Sequence, residues 1–260
     1  RLIYARMTGW GQSGPSAKTA GHDINYISLT GALDAIGSAG GPPVPPLNLV
    51  GDYGGGALYL VVGILAALHE ARNSGAGQVI DAAITDGTLS MMTHFVAASL
   101  KGTFVEQRGS NMLDGGVPYY GVYETADKRH ISVGAIEPQF FAELCKRLEL
   151  NGDWLSAHND QSQWPALRAE FAHIFSSRTR DEWVGIFAES DACVTPVLSL
   201  SEAVLHSHNT TRQSFVTING VTQPAPAPRF SRTPSKIQGP PASQLASVET
   251  IVARWGHGSP

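Results

Sequence analysis

Cysteine is scarce in this chain, with only Cys145 and Cys193 among 260 residues. Two isolated thiols make neither a disulfide framework nor a metal-ligand spacing. They fit a reducing, cytoplasmic compartment, where free cysteine behaves as a small buried hydrophobe. The apolar flank of Cys193 in Ser190-Asp191-Ala192-Cys193-Val194-Thr195-Pro196 predicts burial for that thiol too. A surplus of charge is also lacking. Lys and Arg number 18 against 22 Asp and Glu, for a net charge of -4 and a pI near 6.1. Such a balance gives no general attraction to nucleic acid or to an acidic membrane surface. The longest apolar run, Ala57 to Leu68, is about a dozen residues, where a bilayer span needs ~20. No signal peptide is visible, since Arg1-Leu2-Ile3-Tyr4 opens directly in a strand-like run, and a start at Arg rather than Met reads as processing or, the favoured reading, as a piece of a longer protein. No Gly-x-Ser-x-Gly elbow occurs, which argues against a serine hydrolase. His206 and His208 have no acidic or Cys partner in metal spacing, so no metal is expected.

What remains is an ordinary globular composition, 42% hydrophobic and 15% charged, long enough for one or two domains. Leu2 to Met7 alternates and reads as a buried strand, running into the loop Thr8 to Pro15. Ile24 to Ile36 has helical spacing with Gly31 inside it, and Gly40 to Pro46 is an extended proline loop. Gly55 or Gly56 to about Arg72 predicts a helix with Leu58, Val61, Val62, Leu65 and Leu68 on one face. Gln78 to Ala83 is a second strand, and Asp86 is placed to cap a helix through Met91, Met92 and Phe95 to Leu100. This alternation is the grammar of an α/β fold.

After Lys101 the pattern changes. Tyr119 to Glu124 and Ile131 to Ala135 read as paired strands, followed by helices over Pro138 to Leu148, Trp164 to Phe175 and Thr179 to Ser190. The expected organisation is a partial large domain over 1–100, a linker over 101–118, a small α+β domain over 119–197, a linker over 198–228, and a C-terminal return to the large domain over 229–260. Thr222 to Pro228 and Gln238 to Ala242 read as proline-rich linkers, and Leu245 to Trp255 as a short helix packing back on the large domain.

Three stretches carry candidate chemistry. His22-Asp23 sets an imidazole, able to act as acid or base near neutrality, beside a carboxylate. Gly51-Asp52-Tyr53-Gly54-Gly55-Gly56 puts an Asp just ahead of the predicted helix. Such an Asp is ordinarily an N-cap, yet the helix start and its free amides are also suited to stabilising an enolate oxygen. The stretch is neither a Walker loop nor a Gly-x-Gly-x-x-Gly, and its three consecutive glycines suit backbone that approaches a ligand or another chain. Glu137, before Pro138, is either an exposed carboxylate at a helix start or the partner that sets an imidazole's tautomer.

Tyr4 to Pro15, Ala20 to Gly31, Pro45 to Gly56, Gly75 to Asp86, Gly109 to Tyr120, Val133 to Phe140 and Ser190 to Val197 together resemble the α-methylacyl-CoA racemases of the CoA-transferase family III superfamily. The resemblance implies a Rossmann-like large domain with a small α+β domain, interlocked as a homodimer. It implies His22 and Asp52 as the two acid/bases of a 1,1-proton transfer, with Glu137 pairing with His22 from the small domain. Gly21, Asp23, Ile24, Asn25, Tyr26 and Asn48 would contact the acyl-CoA thioester, Asp23 near its carbonyl. No cofactor is implied beyond the CoA of the substrate, and no nucleic-acid or membrane partner. The transferases of the superfamily match at Gly51-Asp52, where their Asp is a nucleophile, but lack the Gly-His-Asp-Ile-Asn-Tyr wording. An inactive acyl-CoA-binding or dimerising fragment is the third reading, since relatives carry a further segment ahead of the first strand.

Overall fold

The computed structural model describes residues 1–237, 239 and 246–256. The chain forms two compact units, Arg1–Val197 and Leu198–Pro260.

In the first unit, β1 (Ile3–Thr8) and β2 (Gln78–Ala83) pair in parallel, Ile3 opposite Gln78 through Thr8 opposite Ala83. A parallel pair needs a long crossover, and this one carries the candidate site. It contains α1 (Asp23–Ser28), α2 (Ala32–Ala35) and a helical run from Leu49 to Ser74. The helix expected over Ile24 to Ile36 is broken because Gly31 sits at φ 78°, a left-handed conformation that ends one helix and starts the next.

The run from Leu49 begins as ten residues of widened helix (Leu49–Leu58), in which the Tyr53 amide reaches the Asn48 carbonyl five residues back. It then continues as the ordinary helix α3 (Tyr59–Ser74). Asp52 is therefore inside the first turn rather than ahead of the helix, and the start at Gly55 or Gly56 is corrected to Leu49. The missed residues, Leu49 to Gly54, include Gly51 and Gly54, which propensity counts against a helix and tertiary packing keeps in one. The continuous 26-residue helix Leu49–Ser74 is, by length and composition, apolar enough to cross a bilayer, unlike the shorter run read from the sequence. Here it packs on β1, β2 and α4 (Ile84–Met91). Helix α4 begins two residues before Asp86, so Asp86 lies in its first turn instead of capping it, and Met92 separates it from α5 (Thr93–Leu100).

The glycines of the widened helix serve this packing. A Cβ on Gly87 of α4 would fall 1.9 Å from the Gly55 carbonyl oxygen, and one on Gly55 would fall 2.4 Å from Thr88 Oγ1. The expected ligand or second chain at Gly55 is thus replaced by α4 of the same chain. Backbones this close require hydrogen in place of a side chain.

The middle of the chain supplies the densest core. Strands β3 (Tyr120–Glu124), β4 (His130–Gly134) and β5 (Val194–Pro196) form an antiparallel sheet in that order. Three helices accompany it, α6 (Pro138–Arg147), α7 (Trp164–Phe175) and α8 (Arg180–Phe187). Phe141, Leu144, Leu167, Phe171 and Phe175 are fully buried in one cluster with Ile131, Val133 and Trp183. Each such side chain contributes about 1.5–3 kcal/mol of apolar transfer. By contrast Leu2, Leu58, Val62 and Leu65 lie more than half exposed, so the face predicted to be apolar on α3 is uncovered among the described residues.

In the second unit, α9 (Leu200–Leu205) and α10 (Ser207–Thr211) precede a hairpin of β6 (Phe215–Ile218) and β7 (Val221–Pro224). The start of the expected linker Thr222 to Pro228 is therefore strand. Asn219-Gly220, with φ 52° and 79°, makes a tight turn of the kind two-residue hairpins favour. A last helix, α11, spans Val248–Gly256, and the Gln238 to Ala242 linker falls, apart from Gly239, outside the described residues.

Candidate active site

Strand β1 is followed by Gly9, whose lack of a Cβ leaves room for the Tyr26 ring; a Cβ there would sit 2.0 Å from it. The Gly9-Trp10-Gly11-Gln12-Ser13-Gly14 spacing that follows is a glycine fingerprint the sequence reading passed over. It leads into turns rather than a helix, so the structural context for phosphate binding is missing. Tyr26 meets Trp10 edge to face at 4.8 Å and donates its hydroxyl hydrogen bond to the Gly21 carbonyl, bracing the residue before His22. The Asn25 side-chain oxygen accepts from the His22 amide at 3.0 Å, which fixes the backbone at the start of α1.

On the other segment, the Asn48 side-chain amide donates to Asp52 Oδ2 at 3.2 Å. Met7, Thr8, Gly9, Gly21, His22, Tyr26, Asn48, Asp52, Tyr53, Ala57 and Ile84 surround a single open cleft of about 500 Å³. His22 and Asp52, 30 positions apart in sequence, thus share one space. Burial, and secondarily the charge of Asp52, push the Tyr26 phenol above its ordinary pKa. The hydroxyl therefore stays protonated in the cleft.

Of the expected contact residues, Gly21, Tyr26 and Asn48 line the cleft, and Ile24 and Asn25 are exposed beside it. Asp23 does not line it. Its side chain turns inward, where Oδ2 accepts the Asp52 amide at 2.7 Å. That amide and the Tyr53 amide, bonded to the Asn48 carbonyl, are consequently taken. The expected use of the helix start after Asp52 for an oxyanion is corrected on this ground. The amides of Asp23 and Ile24, first in α1, have no acceptor among the described residues.

Glu137 occupies the N-cap position of α6 without a side-chain cap hydrogen bond and lies on the surface, away from the cleft lining, where its charge adds to partial desolvation in raising the pKa of the Cys193 thiol. Cys193 itself is exposed at a left-handed φ of 52°, against the burial expected from its apolar flank. Backbone direction at the turn, rather than local hydropathy, decides where that thiol points. No group of three His, Cys, Asp or Glu that could hold a metal occurs among the described residues.

Residues 1–244 match the family model for CoA-transferase family III. The chain is 48% identical over 236 residues to α-methylacyl-CoA racemase of Mus musculus and 45% identical over 236 residues to that of Homo sapiens. Each match covers 90% of this chain and 62% of the relative, so the chain spans less than two thirds of the curated relatives' length. Its mixed α/β fold resembles the crystal structure of a CAIB/BAIF family protein from Brucella suis, with a TM-score of 0.74 at 20% identity, over 98% of this chain and 68% of that one. With the family model matched along nearly its whole length, this chain belongs to CoA-transferase family III.

Proposed function

We propose that the cleft racemises 2-methylacyl-CoA thioesters by 1,1-proton transfer. The observation that carries the reading is that His22 and Asp52, held on separate segments, face one common cavity. One group removes the α-proton from one face of the substrate carbon and the other returns a proton to the opposite face. In the reverse direction the roles exchange. Between the two transfers the thioester holds the charge as an enolate, which needs donors aimed at its oxygen. The unpaired amides of Asp23 and Ile24 are the nearest such donors to His22 in the chain. Asn48 orients the Asp52 carboxylate, and Glu137 of a second copy pairs with His22 in an interlocked homodimer. The 48% identity to a protein named as a racemase supports this reading over others.

The second reading keeps the cleft and uses Asp52 as a nucleophile in CoA transfer, as the family's name suggests. One experiment separates them. The purified protein is incubated with a 2-methylacyl-CoA in deuterium oxide, beside His22→Ala and Asp52→Ala. α-Deuteration with inversion, lost in both variants, is the expected result. CoA transfer to a free acid without α-exchange would replace the racemase with a transferase, and acyl-CoA binding without either reaction would leave a binding fragment.

A further inference from the structure

We propose that Asp23 is a positioning residue that sets Asp52 against His22, an inference that rests on the roles just given to those two. Asp23 follows His22 directly, and its carboxyl group accepts the backbone N–H of Asp52 at 2.7 Å, across 29 residues of chain. The His22 amide is held by Asn25 of the same short helix at 3.0 Å. Side chains of α1 therefore grip the backbone at both acid/base groups and tie the two segments to one frame.

The surroundings are shaped for this contact. Asp23 is only 6% exposed. The residue before Asp52 is Gly51, on which a Cβ would fall 2.4 Å from Asp23 Oδ2, so only glycine leaves the carboxyl its place. The other oxygen, Oδ1, is buried with no hydrogen-bond partner among the described residues. A buried polar atom left unpaired lowers stability. An apolar residue would fill the space without that penalty, but it could not accept the Asp52 amide. What the carboxyl contributes is thus the position of Asp52.

Two-base catalysis depends on that position. A misplacement of about 1 Å costs roughly 10²-fold in rate. Displacing Asp52 alone has a distinctive signature. His22 still removes the α-proton from its own face and returns a solvent deuteron to the same face, giving exchange with retention. Inversion needs both groups. Asp23→Ala is therefore expected to lower inversion by about 10²-fold while retention exchange falls far less.

The test uses the full chain with Asp23→Ala, Asp23→Asn and Gly51→Ala, each assayed for inversion, retention exchange and hydrogen exchange at the Asp52 amide. Asparagine keeps an acceptor oxygen, so Asp23→Asn is expected to restore most of the inversion and to keep the Asp52 amide protected. Gly51→Ala expels the carboxyl and is expected to match Asp23→Ala, with a double variant no worse than either single one. Equal loss of inversion and retention exchange in Asp23→Ala would overturn the proposal, and so would an Asp52 amide that exchanges no faster in it. A loss in Asp23→Asn as deep as in Asp23→Ala would do the same. Absence of both reactions in the unmodified protein would instead sink the racemase reading, and the amide measurement alone would then decide whether Asp23 holds Asp52.

Discussion

Replacing Gly87 with alanine is expected to pry α4 off the widened helix that carries Asp52. The new Cβ would lie 1.9 Å from the Gly55 carbonyl oxygen, and 2.7 and 2.9 Å from the Gly55 carbonyl carbon and Cα. Ordinary contact begins near 3.4 Å, so one backbone must retreat by about 1.5 Å, the difference between the two distances. All three atoms are backbone, and no side chain can swing away to absorb the clash. Overpacking of this kind costs about 1–3 kcal/mol, and occasionally more. Because only backbone can yield here, the upper end of about 3 kcal/mol applies; alanine in a helix returns about 1 kcal/mol of propensity, which leaves a net loss of about 2 kcal/mol. The matched control is Gly185→Ala in α8, where a Cβ meets nothing within 4 Å and the propensity gain stands alone. Urea denaturation of both variants measures the two signs directly. The displaced helix also carries Asp52, so inversion should fall in Gly87→Ala and not in Gly185→Ala. A Gly87→Ala protein as stable as the parent would refute the close approach of the two helices and the account of the glycines built on it.

Alkaline pH should destabilise the core around β3, β4 and β5. Burial pushes the Tyr123 phenol up to about 12 from 10.0 and the Cys145 thiol up to about 11 from 9.0. Both groups bind their proton more tightly when folded, so their contribution is whole below pH 9 and is lost as pH rises through 11 to 12. Tyr123→Phe should flatten the upper part of that decline in a pH series of denaturation curves. The same variant leaves the buried Pro118 carbonyl without its Tyr123 donor, at a cost of about 1–3 kcal/mol near neutral pH. Asn48→Ala removes the side-chain donor to Asp52 and should lower kcat about tenfold, with KM little changed, which steady-state kinetics would check. An unchanged kcat would show that Asn48 does not orient the carboxylate.

Legibility followed the range of the forces involved. Trp164 to Phe175 was readable to the residue, because its apolar spacing and the proline after its first residue act within a few turns. The two parallel strands were readable because alternation and β-branched residues are local properties. The helix start at Leu49 was not, since glycine-rich sequence disfavours helix and tertiary contacts, with α4 above all and with α1, hold it there. The hairpin at Val221 was hidden by the prolines that follow, although Asn219-Gly220 carried its signal.

At the cleft, the sequence by itself determined which chemical groups are present: an imidazole at His22, a carboxylate at Asp52 and an amide at Asn48, each in a recognisable local setting. Only the tertiary structure decided that these groups border one cavity, that Asp23 faces inward to the Asp52 amide, and that Gly55 meets Gly87 instead of a ligand. Local propensity extends over one or two turns, whereas these contacts join residues that are neighbours only because the crossover between β1 and β2 folds back on the sheet.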